Sequence, residues 1–446
     1  VLTVSSNDIV LFCVLSLFSK KTNGILCKDK SLKTYSYHYV LNCAIVNADV
    51  RTKLDRWKKQ YIDYLCTMLH NKINETNATI QYTKYGEDGK TQELHAIITI
   101  INSRLSYTEQ LNEVVRALSR LVVEERSYVP VMGRLLLSDA ANQAQAAMDI
   151  LSQMTNCALS YVQQPPLNGT KISLWVYMQS NVSVVKVDAN TAYVERNGMR
   201  HLYYASIVNP LADTYQETTA QLEKLEQSLL RQGLNIADNC VRTWFFVQNV
   251  DVNYSAVVEA RKANFLQNGL TSQTHYIAST GIAGRHADKR VTSILDAYCI
   301  GGLAMGQMQY LYAADNMNRT IDYGVTFERA TTIDYADRRH IIISGTASID
   351  NKGAVVHEGD IVKQTLRMLD NVEALLKEGE ATFDDMAHVI VYLRDTADYD
   401  VVEEILCERL KNIPYVITLA PVCRPGWLIE MEGMAISKRV STFGDF

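Results

Sequence analysis

Between residues 107 and 125 apolar side chains recur at Leu111, Val114, Val115, Leu118 and Leu121, the spacing of one helical face. The same spacing returns at Leu222, Leu225 and Leu229, and again at Leu369, Val372 and Leu376. After each helix the period changes. "VPVMGRLLLSD", "VRTWFFVQNV" and "AHVIVYLRD" are strand-length runs of β-branched, aromatic and aliphatic residues. A second helix is predicted after each run, in "AANQAQAAMDIL", at 254 to 267 and at 399 to 411, followed by two closing strands. Ahead of the first helix in the second and third units stand "HLYYASI" and "HIIISGTASI", both strand-like. Their first helices end near Gly233 and Gly379, which suits a left-handed cap.

The recurrence is an internal repeat. Shifting residues 216 to 253 by 146 lays them without gaps on a later stretch, so that Leu229 and Leu230 meet Leu375 and Leu376, Gly233 meets Gly379 and Asp238 meets Asp384. The pattern of 75 to 180 is a fainter third copy. The chain thus reads as units at 75–180, 190–302 and 335–440, joined before the third by a segment at 303–334. The order β, α, β, α, β, β predicts an α+β unit with helices on one face of a mixed sheet. The long joining segment is expected to pack over the body, since long loops in compact proteins are often functional.

Composition changes this picture little. A net charge of -5 and the lack of a Lys/Arg block give no footprint for nucleic acid. Nine cysteines, odd in number and without metal-ligand spacing, read as reduced thiols of a cytoplasmic protein, and no metal is expected. The apolar run at 9 to 18 is too short for a membrane span of about 20 residues, so no membrane role is expected. Residues 1–67, ahead of Met68, are set aside as an N-terminal extension of uncertain status.

Candidate chemistry lies in "APVCRPGWLIEMEG" at 420 to 433. Strand alternation turns Glu430 and Glu432 to the same face, close behind Cys423 and Arg424. Laying the third unit on the second sets Glu430 near Ile294 and Glu432 near Asp296, while "KISLWVYM" of the first unit has no carboxylate. A single site per chain is therefore expected, in a cleft beside the third unit. The plain alternative is a solvated Glu430 paired with Arg424, with Glu432 structural.

The third unit resembles the RidA/YjgF (chorismate-mutase-like) family in "SGTASI", the helix ending at Gly379, "VIVYLRD" and "IEMEGMAI". That family forms trimers with sites between subunits, so the resemblance implies three fused units forming an intramolecular pseudo-trimer. "YGVTFERA", "ISGTASI", "HEGDIVKQT", "CRPGWLIEMEG" and, more weakly, "ASTGIAG" are similar to the fused chorismatases. Gly426 and Trp427 depart from that family's usual acid and leucine, and Val416 stands where RidA imine deaminases carry an arginine after the proline.

The resemblance implies a cofactor-free hydrolase or lyase that acts on a small, anionic, carboxylated enol ether such as chorismate and releases pyruvate. Glu430, seven residues after Cys423, matches the catalytic glutamate and would be the general acid. Arg424 and Arg261 would bind substrate carboxylates, Cys423 would line the pocket, and Ser344, Gly345 and Thr346 would line it through backbone N–H groups. A RidA-like 2-imino or enamine acid deaminase, or a non-catalytic metabolite-binding or interaction protein, are the alternatives. With the ring closed within one chain, a monomer or weak oligomer is expected.

Overall fold

The computed structural model describes residues 68–87 and 89–446, so the extension and the apolar run at 9 to 18 lie outside the described residues. Three six-stranded sheets share one topology. The first contains β1 (Leu69–Asn74), β2 (Ala78–Tyr85), β3 (Glu93–Ile100), β4 (Tyr128–Leu137), β5 (Ala158–Gln163) and β6 (Ile172–Ser180), ordered β1-β2-β3-β6-β4-β5. Only β4 and β5 run parallel. Helices α1 (Tyr107–Glu124) and α2 (Ala140–Met154) supply the crossovers.

The second sheet repeats this order with β7 (Val185–Lys186), β8 (Thr191–Arg196), β9 (Met199–Ile207), β10 (Cys240–Val247), β11 (Ala278–Ala283) and β12 (Ser293–Gly301), served by α3 (Thr214–Leu230) and α4 (Val250–Gln267). The third uses β13 (Met308–Leu311), β14 (Ala330–Asp334), β15 (Arg338–Ala347), β16 (Met386–Leu393), β17 (Tyr415–Leu419) and β18 (Ile429–Lys438), with α5 (Ile361–Glu378) and α6 (Tyr399–Arg409). The segment 303–334 is thus more than a connector, because β13 and β14 within it join the third sheet. Each sheet also starts with three strands, where the pattern showed one in the second and third units and none in the first.

The helices form where predicted because their apolar stripes are buried and their ends are capped. Leu222, Leu225 and Leu229 of α3 and Leu369, Val372, Leu375 and Leu376 of α5 are all buried, each such side chain contributing about 1.5–3 kcal/mol. Ser106 and Glu109 form a capping box on α1, and Asp360 caps α5. The predicted left-handed cap holds at Gly233 (φ +73°) but fails at Gly379, where the next residue, Glu380, takes φ +61°. Gly379 is needed for space, since a Cβ there would sit 2.6 Å from Ile341 Cδ1.

Strands such as β10 are buried on both faces, which explains their unbroken apolar runs. Phe245 and Val247 pack with the helices of their own unit, while Trp244 and Phe246 face a central core shared by all three. The units close in a ring: β5 packs on β9, β11 on β15 and β17 on β3. Main-chain bonds also tie β17 to the loop after β5, Leu167 N–H to Ile417 O at 3.0 Å and Leu419 N–H to Pro165 O at 2.8 Å. This is the fused pseudo-trimeric α+β architecture. No described helix is long and apolar enough to cross a membrane.

Candidate active site

Glu430 lies on β18 between Ala347 of β15 and Tyr392 of β16. The register makes its counterparts Ile294, opposite Phe246, and Ser173, opposite Leu136. Glu430 is therefore the single carboxylate among three equivalent positions. It is 5% exposed, and no described residue hydrogen-bonds or ion-pairs with its carboxyl. The pairing with Arg424 is absent. Burial, helped by the negative charge of Glu432 and opposed by Arg242 and Arg329, pushes its pKa up to about 8. At neutral pH the carboxyl keeps its proton.

The carboxyl faces a small cavity, with a free interior of about 40 Å³, between the second and third units. From the second unit come Tyr254 and Arg261 of α4 and Ser279, Thr280 and Gly281 of β11. The third contributes Gly345 and Ala347 of β15, the loop residues Cys423, Arg424 and Trp427, and the run Tyr323, Val325, Phe327 and Arg329. Two glycines make room. A Cβ on Gly345 would collide with Glu430 Oε1, and one on Gly281 would collide with the Tyr254 ring, with the Tyr254 hydroxyl only 3.0 Å away.

Arg261 is fully buried, yet among the described residues only its Nη1 has a partner, Ser279 Oγ at 3.2 Å. The free Nε and Nη2 form one edge of the guanidinium, the edge that grips a carboxylate through two parallel bonds. Arg329 spans Asn318 O with Nε and Nη2 at 3.3 and 3.0 Å. The Arg424 guanidinium is held between two rings, 4.4 Å from the centre of Tyr323 and 4.7 Å from that of Trp427. Trp427 is itself fixed by its Nε1–H to Ser348 O at 2.9 Å. Cys423 is no nucleophile: burial and the nearby Glu430 push its thiol up to about 12.

The structure thus gathers Glu430, Arg424, Cys423, Arg261 and Gly345 in one cavity. It does not place Ser344 and Thr346 there. Both are buried, Ser344 Oγ accepting from Ser279 N–H at 2.9 Å and from Arg242 Nη1 at 3.1 Å, and Thr346 Oγ1 bonding Ser344 O. Nor are the backbone donors of Ser344 and Gly345 free, since Ser344 N–H binds Arg329 O and Gly345 N–H binds Thr280 Oγ1. The physical reason is a bulge between Ile343 and Thr346, which turns Gly345 alone to the cavity. Val416 also moves. It lies in a different, wider groove of about 650 Å³ between the third and first units, and by register its counterpart beside Glu430 is Thr280. Neither position holds an arginine.

Sequence reasoning missed Tyr254, Thr280, Tyr323, Phe327 and Arg329. A signal existed for three of them: in "YGVTFERA" residues 323, 325, 327 and 329 alternate, and all four line the cavity. No described cluster of His, Cys, Asp and Glu is arranged to hold a metal.

Comparison with known proteins agrees with this architecture. Residues 330–437 match the Endoribonuclease L-PSP family. A RutC family protein of Pyrococcus abyssi is 33% identical over 97 residues, which are 21% of this chain and 76% of that protein. A chorismatase of Streptomyces hygroscopicus is 28% identical over 213 residues, 43% of this chain and 60% of the other. A chorismatase crystal structure superposes with a TM-score of 0.54 at 18% identity, covering 69% of this chain and 93% of that one. Three matching sheets, a family match on the third and this shared fold lead to one conclusion: the chain belongs to the RidA/YjgF superfamily, in the fused, chorismatase-like form.

Proposed function

We propose that the protein hydrolyses a small carboxylated enol ether, chorismate or a close relative, releasing pyruvate. The observation that carries this reading is Glu430, a buried carboxyl without a partner, held protonated and facing a cavity. Enol ether hydrolysis begins when an acid protonates the terminal methylene carbon. The double-bond electrons form the new C–H bond, leaving an oxocarbenium ion. Water adds to the oxocarbenium carbon, the one bearing the ether oxygen, and the Glu430 carboxylate just formed accepts its proton. The resulting hemiketal collapses as Glu430 gives that proton to the ring oxygen and takes the hemiketal hydroxyl proton in return, so the C–O bond to the ring breaks to give pyruvate and the ring alcohol. An acid with a pKa near 8 stays loaded at neutral pH, the condition for general acid work.

Anion recognition supports the same reading. The open edge of Arg261 suits a substrate carboxylate, and Arg424 at the cavity mouth suits a second. The interior of about 40 Å³ holds only a few waters, so entry of a substrate of this size parts the stack of Tyr323, Arg424 and Trp427. The bulky Trp427 tunes which ring is accepted. The described cysteines are free, in keeping with a cytoplasmic enzyme. The test is pyruvate release from chorismate by the purified protein. Glu430→Gln should lower turnover by about 10²-fold or more while binding persists. No release by the unaltered protein, or full activity in the variant, would overturn the reading.

A further inference from the structure

A buried carboxyl keeps its proton only if nearby charge does not favour ionisation, yet two guanidinium groups are buried against Glu432, two residues along the same strand. Arg242 of β10 is 1% exposed, and its Nη2 donates to Thr280 Oγ1 and its Nη1 to Ser344 Oγ, directly behind the cavity wall. Arg134 of β4, equally buried, lies 5.1 Å from the Trp244 ring centre and 4.5 Å from that of Phe246. Uncompensated cations at such range draw a carboxyl proton off.

Glu432 meets both. Its Oε2 accepts from Arg242 Nη2 at 2.8 Å. Its Oε1 accepts from Arg134 Nη1 at 3.2 Å, Trp244 Nε1 at 3.0 Å and the Tyr392 hydroxyl at 2.8 Å. Four donors from all three units converge on it, two residues from Glu430 on the same face of β18. We propose that Glu432 is a positioning residue that keeps the acid loaded: it ties up the charge of Arg242 and Arg134, so that Glu430 beside it remains a carboxylic acid. The inference rests on reading Glu430 as the acid.

The other groups facing Glu430 do not replace this role. Arg329, from the segment before β14, acts against the proton, as Arg242 does. Arg261 of α4 and Arg424 of the loop before β18 are cations too. Tyr392 of β16, Tyr254 of α4, Tyr323 before β14 and Cys423 are kept neutral by burial. Glu432 is the one other carboxyl among them, and Asp296 of β12 shares Arg134 with it, its Oδ2 lying 3.5 Å from Arg134 Nη2. A purely structural carboxylate is the rival explanation, because Asp296 occupies the equivalent place in the second unit, where Ile294 replaces the acid.

Infrared difference spectroscopy on the full chain separates the two, because it sees the protonated carboxyl without substrate. The band lost on Glu430→Gln identifies the Glu430 proton, and its titration midpoint is then followed. Glu432→Gln should lower that midpoint by about 1–3 pH units, and adding Arg242→Gln should bring it back up. An unmoved midpoint overturns the proposal. If Glu432→Gln does not fold, Arg242→Gln alone must raise the midpoint, and failure to do so overturns it equally. So does the absence of a Glu430 band at pH 7 in the unaltered protein. A band that titrates as expected in a protein releasing no pyruvate from chorismate sinks the hydrolase reading alone and leaves the role of Glu432 intact.

Discussion

Glu430 is a group the fold holds at a cost. Its folded pKa of about 8 lies above the ordinary 4.5, so the native state binds the proton more tightly than the unfolded chain. The sign follows: stability is greatest below the unfolded pKa and is lost as pH rises from about 4.5 through about 8. Glu430→Gln removes the titration. Its melting temperature relative to the unaltered protein should therefore climb between pH 5 and 9, and a parallel pair of melting curves across that range would show that the carboxyl is not buried as described. At this scale the sequence was legible where residues sit close together, as Cys423, Arg424 and Glu430 do. Arg261 was legible only through its fit to the substrate's charge. Tyr254 and Thr280 were not, because they reach the cavity from another unit, and one chain's pattern does not say which strand of one unit will face which strand of the next.

Among the elements, the bulged end of β15 does most to shape the site. The residues of "ISGTASI" announced a strand, and the resemblance announced a pocket wall at its glycine; Gly345 does line the cavity, and it does so because it sits in a bulge. Gly345→Ala should leave the sheet assembled, because the clash falls on the Glu430 carboxyl and not on backbone. Pushing the acid out of place by about 1 Å should reduce turnover by about 10²-fold. The check is activity beside circular dichroism: lost folding in place of lost activity would assign Gly345 to the architecture. The segment before β14 shows the opposite limit. Its length hinted at function, but that residues 308–311 and 330–334 would pair as strands depends on contacts made after the chain has turned back on itself.

The whole molecule is a trimeric plan carried by one chain, and the repeat made this the most legible feature of all. With β17 seated on β3 the ring has no open face for further units. Light scattering should give the mass of a single chain or a weak, concentration-dependent association; an obligate trimer of full chains would contradict ring closure. Fusion also changes what the centre can be made of. In three identical subunits any residue near the axis appears three times, so one carboxyl clasped by two different arginines is out of reach. Here equivalent positions hold Met132, Arg242 and His388, or Trp175, Asp296 and Glu432. With the three copies different, two of them carry no carboxyl at the place of Glu430 and instead supply Arg134, Arg242 and Trp244 around Glu432.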